Sequence, residues 1–133
     1  MKEKRVILKK SKEAIIKRKH PWIFSGAIQA VDHQQIANGD VVSLYSHKDE
    51  FFCKAHYQDA SISLRVLTYE NVEINKDFYR QKLSTALNLR KALIDEKVTN
   101  AYRWVHGEGD GLPGLIVDFY NGHVILELHS LGM

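Results

Sequence analysis

The clearest alternation of apolar and polar positions lies in Leu115-Ile-Val-Asp-Phe-Tyr120 and His123-Val-Ile-Leu-Glu-Leu128, which flank Asn121-Gly122. Asn-Gly between two alternating runs predicts a β-hairpin with a two-residue type I′ turn, because that turn needs positive φ at both central positions. So short a loop sets the register. Tyr120 faces His123, Phe119 faces Val124, Val117 faces Leu126 and Leu115 faces Leu128. One face is then wholly apolar (Leu115, Val117, Phe119, Val124, Leu126, Leu128), and the other carries Ile116, Asp118, Tyr120, His123, Ile125 and Glu127. Helical spacing of Tyr79, Leu83, Ala86, Leu87 and Ile94 predicts a helix from about Lys76 to Glu96, capped by Asn75 or Asp77. That helix is the expected partner of the hairpin's apolar face. Between them, Ala101–His106 reads as a strand with Tyr102, Trp104 and His106 on one side.

The first half of the chain is patterned in shorter pieces. Arg5–Lys10 predicts a strand, and Ser11 is placed to cap a helix through Lys19, with Ala14 and Ile15 inward and Lys12, Arg18 and Lys19 outward. Pro21 disfavours helix at His20 and stops it there. Trp22-Ile-Phe24, between Pro21 and Gly26, predicts a segment pinned into a core at a bend, with Trp22 and Phe24 packed inside. Asp40–Ser46 and Phe51–Tyr57 read as strands joined by the polar turn 47–50, and Ser61–Tyr69 as a further, half-buried strand.

Composition narrows the class. The 133 residues are 44% hydrophobic and 26% charged, which fits a soluble globular chain of one domain or two small ones. No apolar run approaches the ~20 residues of a membrane span, so no membrane association is expected. The single cysteine, Cys53, excludes an intrachain disulfide, reads as a buried thiol and fits a cytoplasmic setting. The seven histidines include no metal-binding pair at helical spacing, so no metal site is expected. Charge is concentrated at one end. Residues 1–20 carry nine Lys/Arg, from Lys2 to Lys19, against Glu3 and Glu13, a net of +7, whereas the other 113 residues net −4. Such a basic region is either a footprint for a polyanion or a solvated lysine-rich terminus.

Gly107-Glu-Gly-Asp-Gly-Leu-Pro-Gly114 contains G-x-G-x-x-G from Gly109. A dinucleotide loop follows a strand and opens a helix whose amides meet the pyrophosphate. Here the glycines lead into the hairpin strand and Pro113 interrupts the pattern, so a turn is the better reading. Turn chemistry alone assigns no role to Glu108 and Asp110.

Two longer stretches, Lys19-His-Pro-Trp-Ile-Phe-Ser-Gly-Ala-Ile28 and His106-Gly-Glu-Gly-Asp-Gly-Leu-Pro-Gly-Leu-Ile-Val-Asp118, resemble signatures of the bacterial class I SAM-dependent ribosomal RNA methyltransferases. The resemblance is closest to the large-subunit rRNA cytosine-5 methyltransferases, and it covers essentially the whole chain. It implies an α+β fold: a PUA-like small mixed β-barrel at 1–69, followed by a β-β-α-β-β domain at 70–133. In that family a Rossmann-like catalytic domain comes next, with the SAM-binding loop and the nucleophilic cysteine. By resemblance this chain is the RNA-binding N-terminal region, without cofactor or catalysis of its own, and SAM is expected only for the full-length enzyme. Its implied partners are ribosomal RNA and the C-terminal methyltransferase domain. The implied RNA contacts are Lys12, Lys17, Arg18, Lys19, His20, Ser25 and Gly26. A stand-alone RNA-binding adaptor and a protein-interaction domain are the alternatives.

Overall fold

The computed structural model describes residues 3–32 and 34–133; Lys2, part of the basic run, lies outside them. The chain divides into two compact units, one up to Val72 and one from Glu73.

The first unit holds β1 (Arg5–Leu8), a one-turn helix α1 (Ala14–Lys17), β2 (Trp22–Phe24), β3 (Ile28–Ala30), β4 (Val41–Tyr45), β5 (Phe51–Tyr57) and β6 (Ile62–Thr68). They form one sheet in the order β2-β6-β5-β4-β1-β3, mixed because β1 pairs β4 in parallel while the other pairs are antiparallel. β2 and β3 lie at opposite edges, yet only Ser25–Ala27 separates them in the chain. Six flat strands would place those edges about 24 Å apart, beyond the ~14 Å that so short a link spans. The sheet therefore curls, as expected of a small mixed barrel. Val6, Leu8, Ile23, Leu44, Cys53, Ala55 and Leu64 fill its interior. Burial pushes the Cys53 thiol up to about 12, so it stays protonated and inert at neutral pH.

The helix expected from Ser11 to Lys19 is shorter and broken. Lys10–Lys12 form a 3-10 turn, no side chain caps α1, and Ser11 sits inside the preceding turn. Ile15 and Ile16, not Ala14 and Ile15, face inward, and Ala14 is exposed. Two adjacent β-branched residues in a cation-rich segment give little intrinsic helicity, and so short a helix depends on packing for its stability.

The second unit contains α2 (Lys76–Leu93), β7 (Ala101–His106), β8 (Leu115–Tyr120) and β9 (His123–Leu128), with the strands in the order β7-β8-β9. Its order is thus α-β-β-β rather than β-β-α-β-β: the strands preceding the helix, β5 and β6, belong to the curled sheet of the first unit. Asn75 caps α2 by accepting from the Phe78 N–H at 3.0 Å. The helix stops at Leu93 rather than Glu96, because Ile94 turns extended and Asp95 accepts from the Lys97 N–H in a tight turn.

The hairpin register is the one the Asn-Gly turn dictates, from Tyr120 opposite His123 to Leu115 opposite Leu128. Asn121 and Gly122 have φ of 46° and 86°. Replacing Gly122 with Val puts a β-branched side chain into that left-handed conformation and should cost about 1–3 kcal/mol. Gly109→Ala, where φ is not positive and the nearest atom to a new Cβ is 3.9 Å away, should cost well under half of that. Thermal shifts of similar size for the two variants would contradict the turn assignment.

Two expectations for this unit are corrected. A bulge between Arg103 and Val105 breaks the alternation in β7. Val105 is fully buried opposite Val117, while His106 is exposed and Trp104 donates its indole N–H to the Leu83 carbonyl on α2 at 2.9 Å. Only part of the hairpin's apolar face is covered. Ala86 of α2, Val105, Leu112 and Val117 form the buried cluster, with Leu115 at its border, whereas Val124, Leu126 and Leu128 of β9 remain 48–62% exposed. One helix about 10 Å wide covers roughly two strands spaced about 4.8 Å apart, and the third strand lies beyond it. Val117→Ala should accordingly lose about 2 kcal/mol of stability and Leu126→Ala under about 0.5 kcal/mol, read by urea denaturation. Equal losses would contradict this coverage.

Candidate nucleic-acid interface

The cations near the start of the first unit divide by what they touch. Lys4 pairs with Asp40, and Arg5 pairs with Asp49 and lies 3.7 Å above the Tyr45 ring centre, so both are committed to the fold. Lys10, Lys12, Lys17, Arg18 and Lys19 are exposed, and among the described residues no acidic side chain pairs with any of them. Glu13, the acidic residue within this run, is engaged by His47 at 2.8 Å. The result is an uncompensated cationic surface formed by the 3-10 turn, α1 and its exit.

That exit has a specific geometry. Lys19 follows the end of α1 with φ 49°, a left-handed position that helix ends usually give to glycine. Its N–H donates to the Ile16 carbonyl at 3.0 Å, and its Nζ stands 5.6 Å from the Tyr69 ring centre. The Tyr69 hydroxyl in turn donates to the His20 carbonyl at 3.1 Å, so residues 19 and 20 are held against β6 and its end. The His20 Nδ1 lies 3.1 Å from the Trp22 N and 3.0 Å from the Trp22 O, and it is anchored as acceptor in one tautomer and as donor in the other.

Lys9 joins this surface to the turn that follows β2. Its N–H donates to the Ala27 carbonyl at 2.9 Å and its Nζ to the Gly26 carbonyl at 3.0 Å. Ser25 and Gly26 are exposed, the Ser25 N–H donates to Ser61 O, and open space lies where a Gly26 Cβ would project. The structure therefore places Lys12, Lys17, Arg18, Lys19, His20, Ser25 and Gly26 on the surface, along the 3-10 turn, α1 and both ends of β2. Sequence reasoning omitted Lys10, though its place in the +7 run was the available signal. It also expected Phe24 in the core. Ile23 takes the core position in β2, and Phe24 is 49% exposed, with Trp22 half-buried. Alternation along a strand sends residues 22 and 24 to the face opposite residue 23, which was the signal for this.

The glycine-rich turn of the second unit is built differently. Gly107–Asp110 is a 3-10 turn, Gly107, Gly111 and Gly114 have positive φ, and β8 follows rather than a helix. A Cβ on Gly114 would stand 2.6 Å from the Ser130 Oγ. These glycines satisfy turn geometry and close packing, and the segment is not the strand-loop-helix of a dinucleotide loop. Asp110 also has its role here. Its carboxylate takes two hydrogen bonds of 2.7 Å from the Arg90 guanidinium and one of 2.6 Å from the His106 N–H, joining α2 to the turn.

Residues 6–69 match the PUA-like domain family. Over 96% of its length the chain is similar to the ribosomal RNA large subunit methyltransferase I of Alteromonas mediterranea (36% identity) and of Vibrio campbellii (37% identity), spanning 32% of each. It thus spans about one third of the length of these curated relatives. Among solved structures, a putative SAM-dependent methyltransferase from Streptococcus mutans matches 96% of the chain with a TM-score of 0.78 at 22% identity, the match spanning 33% of that protein. A putative methyltransferase complexed with SAH matches 98% with a TM-score of 0.77 at 23% identity, again over 33% of its length. At these identities the solved structures speak for the fold.

Proposed function

We propose that the chain binds ribosomal RNA and positions it for methylation; residues 6–69 match the PUA-like domain family, and 96% of the chain is similar to ribosomal RNA large subunit methyltransferases. The observation that carries this reading is the row of exposed cations at Lys10, Lys12, Lys17, Arg18 and Lys19, paired with no acidic side chain among the described residues and adjoining an aromatic strand. Cations of this kind neutralise phosphates and fix register on the RNA without reading sequence.

On the same reading, methyl transfer from SAM to C5 of a cytosine belongs to the part of the relatives that this chain does not span. Cys53 is no candidate nucleophile, since it is buried and its thiol is held protonated. The exposed apolar residues of β9 suit a protein partner, and the methyltransferase domain is the one proposed. A cytoplasmic setting goes with this reading.

Titration with a ribosomal RNA fragment over a salt series tests the proposal. About four neutralised phosphates give a slope of log K against log salt near −3 on single-stranded RNA. Binding insensitive to salt would overturn it, and saturable SAM binding by this chain alone would overturn the assignment of methyl transfer elsewhere.

A further inference from the structure

Beside the cations lies an aromatic surface that phosphate binding leaves without a role. Phe24 ends β2, an edge strand of the curled sheet, and it is the first unit's one exposed large hydrophobic residue apart from Val72, among the described residues. Exposing half of a phenyl ring forgoes the favourable burial that Ile23 beside it obtains, so local packing does not account for it. The ring is not isolated. The His20 and Phe24 ring centres are 6.4 Å apart at an interplanar angle of 39°, and the His20 and Trp22 centres are 6.0 Å apart at 67°.

The platform is also held in place. β2 pairs with β6 through Phe24 opposite Ile62, and the Ser25 N–H donates to Ser61 O at 2.9 Å. His20 is fixed by Trp22 and by the Tyr69 hydroxyl. A ring on a strand loses little entropy when a ligand stacks on it. Lys19 precedes His20 directly, and Gly26 lies two residues past Phe24 with open space beside it. Lys19 beside His20 and Lys9 on the Gly26 carbonyl put a cation near each end of β2, with open space beside Gly26, an arrangement that suits the sugar-phosphate and base of an unpaired nucleotide. Paired bases within an A-form duplex offer no free π face, whereas unstacked bases do.

We propose that Phe24, supported by His20, is a stacking site for one unpaired nucleobase of single-stranded RNA, flanked by the phosphate-binding cations of residues 10–19. This rests on the RNA-binding reading above and adds the strandedness of the RNA to it.

The test uses the whole chain and two RNA probes. One is a single strand of about 12 nucleotides with one 2-aminopurine, and the other is a blunt duplex with the same number of phosphates. Phe24→Ala should weaken single-strand binding about 5- to 150-fold and remove the protein-induced change in 2-aminopurine fluorescence, as expected for loss of one stacked base. Duplex affinity and the salt slope should stay as in the wild type, and Phe24→Trp should restore both single-strand signals. Unaltered single-strand binding by Phe24→Ala, an equal loss on duplex, or no rescue by Trp would each overturn the stacking site. In those cases the salt-dependent RNA binding of the wild type would still stand. A wild-type protein that binds neither probe would overturn the RNA reading itself, and the stacking site with it.

Discussion

Asp110→Ala is expected to destabilise the second unit by about 3–5 kcal/mol, the cost typical of removing one partner from a buried ion pair. The Asp110 and Arg90 side chains are only 7% and 16% exposed. The Arg90 guanidinium donates to both oxygens of the Asp110 carboxylate, and its Nε donates to the Arg103 carbonyl at 3.1 Å. One arginine thus fastens α2 to β7 and to the glycine turn. Without the carboxylate, a nearly buried charge loses its counter-ion and the His106 N–H loses its acceptor. Asp110→Asn keeps the shape and one acceptor, and should cost less.

The pH dependence follows from the same contacts. Burial pushes the Asp110 pKa up, but the Arg90 guanidinium and the His106 N–H outweigh it, and the carboxyl sits below its ordinary value. A carboxyl lowered in the folded state contributes its full stabilisation above its unfolded pKa of about 3.9, and loses it as pH falls through the folded value. Part of the acid sensitivity of the second unit should therefore disappear in Asp110→Ala. Urea unfolding followed by Trp104 fluorescence in a Trp22→Phe background measures both effects, and a loss under about 1 kcal/mol would contradict this role for the pair.

The second large effect concerns binding. Reversing Lys17, Arg18 and Lys19 to Glu should weaken RNA binding at least about 100-fold near physiological salt, because three attractive phosphate contacts become repulsive. Discrimination among RNA sequences should change little, since phosphate contacts do not read bases. These side chains are exposed and take part in no ion pair among the described residues, so apart from the Lys19–Tyr69 cation-π contact, worth about 0.5–1 kcal/mol at an exposed site, thermal stability should change little beside the loss of affinity.

Features set by neighbours in sequence were legible before the fold was known. The Asn121-Gly122 turn determined the hairpin register, and Asn75 caps its helix because capping needs only the next three residues. Features set by distant parts of the chain were not. The Arg90–Asp110 pair joins residues 20 apart, and no local pattern marks it, which is why Asp110 had no role in the sequence. The bulge at Trp104 accompanies its hydrogen bond to Leu83 on α2, a contact 21 residues away, and beyond the bulge the period of two in β7 put His106 on the wrong side. Exposure of Val124, Leu126 and Leu128 reflects how many strands one helix covers, a question of width rather than sequence.

Within the interface, the basic run was visible as composition, but its division was not. Lys4 and Arg5 read like the other cations until Asp40 and Asp49, more than 30 residues away, are folded beside them. Phe24 was misplaced for a different reason. Three bulky residues between proline and glycine suggested burial, whereas an edge strand of three residues buries only the middle one.

The proposed RNA-binding surface is tested most directly by filter binding of the wild type and the Lys17→Glu, Arg18→Glu, Lys19→Glu variant to one single-stranded ribosomal RNA fragment across a salt series. The account predicts a slope of log K on log salt near −3 for the wild type and about −1 or shallower for the variant, with much lower affinity for the variant at every salt concentration. Equal affinities and parallel slopes for the two proteins would contradict it.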